Sequence, residues 1–190
     1  MSPLLQIVVG STRPGRVGAP VAAWIAEQAR AHGGFDVEML DLAEIDLPMF
    51  DEPIHPVRAQ YSNDHTKRWS ATVARGDAYV FVTPEYNGSY PGSLKNAIDF
   101  LNHEWRYKPA GVVSYGGVSA GTRAAVALRS VLSTLRMVPA VDAVSIPFVG
   151  EKIAEDGTLV ANDVMVAAAK TMFDEIELLR TGIAPLRPGA

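Results

Sequence analysis

The run Leu4-Leu-Gln-Ile-Val-Val9 is apolar almost throughout and is followed by glycine, the pattern of a short strand buried on both faces. The spacing then changes. Val17, Val21 and Ile25 recur at helical intervals, and Gly33-Gly34 marks where that helix stops. Phe35 to Leu40 alternates as a second strand. From Leu42 to Tyr61 the chain carries Pro48, Pro53 and Pro56 and shows no period, which predicts a long loop. Ser62 is placed to cap a helix through Arg75 with Trp69 and Val73 inward. Asp77 to Thr83 predicts a third strand, and Ser93 to Asn102 a helix presenting Leu94, Ala97, Ile98 and Leu101. Ala110 to Ser114 reads as strand four, and Ala124, Leu128, Val131 and Leu135 as one helix face. Val138 to Ile146 reads as strand five. Asn162 to Arg180 reads as a last helix, with Met165, Ala169, Met172, Ile176 and Leu179 inward.

Strand followed by helix, five times over, predicts an α/β protein with helices on both faces of a parallel sheet, because parallel neighbours need a crossover. Five strands favour a flavodoxin-like three-layer sandwich, a five-stranded parallel sheet of order 2-1-3-4-5, over a six-stranded dinucleotide fold. Residues 1–190 read as a single domain, with 181–190 a loose C-terminal tail. In such sheets ligands sit beyond the carboxyl ends of the strands, at the switch point between strands one and three. The loops after strands one, three and four are therefore the ones that carry chemistry.

Composition narrows the partners. The 190 residues suit one well-buried domain, and 48% hydrophobic with 20% charged residues is an ordinary globular balance. A net charge of -4 gives no reason to expect a nucleic-acid or acidic-membrane partner. The absence of cysteine removes disulfides, thiolate metal sites and cysteine nucleophiles. No apolar run approaches the roughly 20 residues of a membrane helix, and no basic segment precedes the short apolar run near Met1, so a cytoplasmic protein is expected. His32, His55, His65 and His103 lack ligand spacing, which argues against a metal site, and Asp41, Asp46 and Asp51 read as solvated.

The first loop, Gly10-Ser-Thr-Arg-Pro-Gly-Arg-Val-Gly18, opens a helix whose free N–H groups and positive dipole end favour an anion. Ser11 and Thr12 add hydroxyls, Arg13 and Arg16 add charge, and Gly15 permits a tight turn. Neither common phosphate motif is present. G-x-G-x-x-G fails at Thr12, and the P-loop pattern is broken by Arg16 and Val17. The second loop, Thr83-Pro-Glu-Tyr-Asn-Gly-Ser-Tyr-Pro-Gly92, is far richer than a connector needs. The backbone of Glu85 to Gly88 is suited to reading the edge of a flat heterocycle, and Tyr86 is either a ring to pack beside it or an ordinary half-buried tyrosine. Ser89 or Ser93 is expected to cap the following helix. The third loop, Ser114-Tyr-Gly-Gly-Val-Ser-Ala-Gly121, is glycine-rich and faces the same end.

These loops carry a resemblance. Gly10-Ser11-x-Arg13, Pro84-Glu85-Tyr86-Asn87, Pro91-Gly92-x-Leu94-Lys95-Asn96-Ala97-x-Asp99, and Ser114 with Gly116, Gly117 and Gly121 resemble the NADPH-dependent FMN reductase family, which includes quinone, azo and chromate reductases. The resemblance spans about residues 4 to 125 and is most specific in the Pro-Glu-Tyr-Asn block. It implies non-covalent FMN and NADPH as co-substrate, with hydride passing through FMN to a flavin, quinone or similar acceptor in a ping-pong cycle. By resemblance, Ser11, Thr12, Arg13, Arg16, Val17 and Gly18 hold the phosphate. Pro84, Glu85, Tyr86 and Asn87 flank the isoalloxazine, and Ser114, Tyr115, Gly116 and Gly117 close its far edge. Backbone N–H groups of Gly116 and Gly117 are expected to favour the reduced ring. The family commonly has a serine, often with an asparagine, where this chain has Arg16, Val17 and Gly18, so Arg16 serves either the FMN phosphate or the 2′-phosphate of NADPH. No protein acid or base is demanded, and no catalytic residue is assigned. A homodimer or homotetramer is implied, with the 44–61 loop or the Glu104–Tyr107 segment near a partner's flavin. The other class open to the sequence is a flavodoxin-type electron carrier that binds FMN without oxidising NADPH.

Overall fold

The computed structural model of the protein describes residues 2–187. In β1 (Leu4–Val9) the period of two is visible directly: Leu5, Ile7 and Val9 turn to one side of the sheet and Val8 to the other. The first side is covered by α1 (Gly18–His32) and α6 (Asp163–Ile183), through Val21, Ile25, Ala169, Met172 and Phe173. The second is covered by α3 (Asp64–Ala74), α4 (Gly92–Asp99) and α5 (Thr122–Thr134), through Trp69, Val73, Leu94, Ile98 and Leu128. These are the three expected layers.

Between them lie β2 (Asp36–Asp41), β1, β3 (Ala78–Pro84) and β4 (Pro109–Tyr115), all parallel, in the order β2-β1-β3-β4. The predicted order 2-1-3-4-5 is observed, and it puts the ends of β1, β3 and β4 side by side.

The fifth strand differs from the expectation. Val138 to Ile146 is not one strand but two: β5 (Val138–Pro139) pairs with Pro109–Ala110, and β6 (Val144–Ile146) pairs with Val113–Tyr115, so the sheet has six strands in five positions. The cause is local. Pro139 has no N–H for the ladder, and the amides of Val141 and Asp142 donate to the Glu175 carboxylate on α6 at 2.9 and 2.7 Å.

Smaller differences follow the same logic. The 42–61 loop contains α2 (Leu42–Ile45), N-capped by the Asp41 carboxylate, and a 3-10 turn at Pro56–Arg58. Asn63 rather than Ser62 is the N-cap residue of α3. Neither Ser89 nor Ser93 caps α4: Pro91 stands at its N-cap, and Ser93 Oγ donates to the Gly10 carbonyl at 2.7 Å. The tail expected from Thr181 is partly structured. Thr181 to Ile183 belong to α6, and Arg187 donates to the Asp77 carboxylate at 3.0 Å and the Asp77 carbonyl at 2.7 Å. Residues 188–190 lie outside the described residues.

Candidate functional site

The start of α1 is built to leave donors free. Its N-cap residue, Val17, offers no side-chain acceptor, the first turn carries no acid, and Pro20 has no N–H to satisfy. The amides of Gly18 and Ala19 are therefore uncapped at the positive end of a fifteen-residue helix. Gly18 lies against the neighbouring strand so closely that a Cβ there would fall 2.7 Å from the Tyr115 hydroxyl. That places a phenol O–H at the same helix end. Burial, reinforced by Tyr86, pushes the Tyr115 hydroxyl well above the usual tyrosine range, so it stays a neutral donor.

The two arginines of this loop part company. Arg13 is exposed, and its side chain has no hydrogen bond or ion pair among the described residues. Arg16 is turned to the end of β2, where it pairs with Asp41. Asp41 is therefore not solvated: its other oxygen caps α2 through Ala43 N–H at 3.0 Å. Arg16 Nε remains buried without a partner, an orphaned donor at the same loop. Ser11 is fully buried, and its hydroxyl lies 2.8 Å from the Tyr86 hydroxyl, which ties the first loop to the second. Thr12 is exposed at the edge of a cleft of about 280 Å³ that also borders Leu42, Ser93 and Asn96.

In the second loop, Asn87 (φ 50°) and Gly88 (φ +82°) form the two-residue turn of a miniature hairpin, Tyr86 N–H to Ser89 O at 2.8 Å and Ser89 N–H to Tyr86 O at 3.1 Å. Asn87 is thus a turn residue, and the hairpin presents Tyr86 at the surface. Glu85 N–H is spent on the Tyr115 carbonyl, so of the four amides expected to read a ring edge only those of Asn87 and Gly88 remain free. Pro84 is buried at the end of β3. The Glu85 carboxylate is covered by Ser119 and Arg123, in a residue that is itself half-buried. The motif after the hairpin explains itself by packing. Leu94 and Ala97 are buried, Lys95 pairs with Asp99, and Asn96 fastens the proline-rich loop through Pro48 O and Phe50 N–H.

In the third loop, Ser114 is fully buried and its hydroxyl donates to the Ala120 carbonyl at 2.9 Å. Gly116 N–H donates to Ile146 O at 3.2 Å, which leaves Gly117 N–H as the free amide of the expected pair. Phe148 lies beside them in the left-handed region (φ 47°), its N–H donating to Gly117 O at 3.1 Å. Sequence reasoning missed Asp41, Ser119, Arg123 and Phe148. Only Asp41 left a signal, as the first residue of Asp41-Leu-Ala-Glu44, a helix-capping pattern. No group of three metal-ligating side chains occurs among the described residues, and no helix among them is long and apolar enough to cross a membrane.

With this geometry in view, the comparisons with known proteins are specific. The family model described as NADPH-dependent FMN reductase matches residues 3–151. An NAD(P)H-dependent FMN reductase of Schizosaccharomyces pombe is 40% identical over 151 residues, 77% of this chain and 75% of that protein. A quinone reductase of Pseudomonas putida is 38% identical over 140 residues, 70% of this chain and 71% of its own length. Among solved structures, a flavoenzyme NAD(P)H:(acceptor) oxidoreductase from Paracoccus denitrificans superposes with a TM-score of 0.76 at 24% identity, over 95% of this chain and 98% of that one, which shows the shared fold. The chain belongs to the NADPH-dependent FMN reductase family.

Proposed function

We propose that the chain holds one FMN across the ends of β1, β3 and β4 and works as an NAD(P)H-dependent reductase of FMN, quinones or similar acceptors. The observation that carries this reading is the α1 N-terminus. Uncapped amides of Gly18 and Ala19 and the neutral Tyr115 hydroxyl meet at one helix end, and the exposed, unpaired Arg13 stands on the loop leading into it, where a phosphate dianion would be held, while Arg16 is engaged by Asp41. The donor set fits the group. Ser11 would orient Tyr86 rather than grip phosphate, since the two hydroxyls already meet.

The ring would lie between the Tyr86 hairpin and the loop from Gly116 to Ser119. Asn87, Gly88 and Gly117 keep backbone N–H groups free to meet its polar edge. When bound, FMN supplies the two-electron chemistry, accepting hydride from the nicotinamide and passing the electrons to the acceptor. The chain's own part would be position and field: its loops would hold the ring for donor and acceptor in turn, and the free Gly117 N–H would favour negative charge at the ring edge. No side chain is required to move a proton.

Assembly is part of the proposal. Met49 is 81% exposed, and Phe50, Ile54 and Val57 are exposed beside it, an apolar surface suited to a second copy. The Glu104 segment is a weaker candidate, because the Glu104 carboxylate is taken up internally by Tyr61, Ser70 and Asn102.

The test is direct. Purified protein, or apoprotein incubated with FMN, is expected to be yellow with about one FMN per chain, and anaerobic NADPH is expected to bleach it within seconds. A protein that stays colourless with excess FMN would sink the reading. A yellow protein that resists NADPH and NADH, yet takes electrons from a partner reductase, would make it an electron carrier.

A further inference from the structure

Glu85 stands in the loop that flanks the proposed ring, yet only 6% of its side chain is exposed. Four donors converge on its carboxylate. Ser119 Oγ donates to Oε2 at 3.1 Å and Arg123 N–H to Oε2 at 3.2 Å, while Arg123 Nε and Nη2 both reach Oε1. Arg123 is the second residue of α5, whose N-cap, Gly121, supplies no side-chain acceptor. The carboxylate thus serves one of the helix's orphan amides from another element and sits at its positive end.

Gly121 makes the approach possible. Its φ is +77°, and a Cβ there would fall 2.7 Å from the Tyr115 backbone nitrogen. Any other residue would push the start of α5 away from the end of β4. Arg123, 67% exposed, folds back onto Glu85 instead of extending into water. An exposed ion pair does little for a structure. Here one partner's carboxylate is covered by a backbone amide, a hydroxyl and a guanidinium together.

We propose that Glu85 is a positioning residue: through Ser119 and Arg123 it clamps the loop after β4 to the loop after β3, and so fixes the width of the slot that receives a flat heteroaromatic ring. The inference rests on the flavin reading given above. The guanidinium of Arg123 holds the Glu85 carboxyl below the usual carboxylate range, so the clamp persists into mildly acidic solution.

The test has two arms, with Glu85→Gln as the main variant and Arg123→Met reaching the same clamp from its exposed side should the first fail to fold. On flavin-free protein, amide hydrogen exchange is expected to speed up across residues 117–123 in either variant, and not across 12–18. In flavin titrations, Glu85→Gln is expected to weaken FMN and riboflavin by the same factor, about tenfold for a loop that must now be ordered on binding. The double variant is expected to be no worse than the poorer single, because both remove one interaction. Unchanged exchange, a loss confined to FMN, or additive losses in the double variant would each overturn the clamp. If the native protein takes no flavin at all, the cofactor reading fails, while the exchange arm still decides the clamp.

Discussion

Arg13 is the cleanest place to test how the phosphate is held. It is exposed and its guanidinium has no partner among the described residues, so binding an anion costs it no existing bond. The full value of a charge-assisted hydrogen bond is then available, about 1.5–3 kcal/mol, which is roughly ten- to a hundredfold in affinity. Riboflavin has the ring and lacks the phosphate. Arg13→Ala is therefore expected to weaken FMN by that factor and leave riboflavin nearly untouched, read by quenching of flavin fluorescence on titration with apoprotein. Arg16 supplies the internal contrast. Its side chain is 20% exposed and already paired with Asp41, which is 13% exposed, so recruiting it to a phosphate means giving up that pair. Arg16→Ala alone would leave the Asp41 carboxylate uncompensated beside the site. The clean change is Arg16→Ala together with Asp41→Asn, which removes a neutral unit and is expected to alter the FMN-to-riboflavin affinity ratio by less than about threefold, the remainder of an exchanged pair. Equal losses of FMN and riboflavin in Arg13→Ala, or a larger ratio change in the paired variant than in Arg13→Ala, would refute this division of labour.

Three further outcomes are expected. Burial pushes the Lys108 ammonium down to about 8 from the usual 10.5, so the unfolded chain holds this proton more tightly and stability rises as pH climbs through that window. Urea melts at about pH 7.5 and about pH 9.5 should show a gain near 2 kcal/mol in the native chain and no such gain in Lys108→Met; parallel slopes would refute it. Gly121→Ala is expected to lose about 1–3 kcal/mol in a denaturant melt, since both its positive φ and the Tyr115 backbone resist a Cβ, and Gly15→Ala, with open space around it, is expected to lose less. Light scattering is expected to give a dimer or tetramer that Met49→Asp weakens, and a fully active monomer at micromolar concentration would exclude the proposed assembly.

The strands that form the middle of the sheet were legible to within a residue or so because each is a continuous apolar run between turn residues, and order followed from the alternation. What was not legible was anything decided by a partner far along the chain. The break between β5 and β6 depends on Glu175 accepting amides thirty-three and thirty-four residues earlier. Asp41 looks solvated until Arg16, 25 residues before it, is folded against it. Glu85 looks like a surface charge until Arg123, 38 residues on, arrives at the start of α5. α2 and the turn at Pro56 are too short to leave a period.

One constraint on the third loop, however, is readable from the sequence. The resemblance puts both Ser114 and Tyr115 at the far edge of the ring, and as neighbours on β4 their side chains face opposite sides of the sheet. Val113 and Tyr115 share the side covered by α1, where the Tyr115 hydroxyl meets Gly18. Ser114 must then face the α5 side, and its hydroxyl is spent on Ala120. Parity alone therefore sets the Tyr115 hydroxyl beside the start of α1 and turns the Ser114 side chain to the opposite side of the sheet. The loops that converge are set by topology, but which of their side chains can touch a ligand is set by where each strand stops counting in twos.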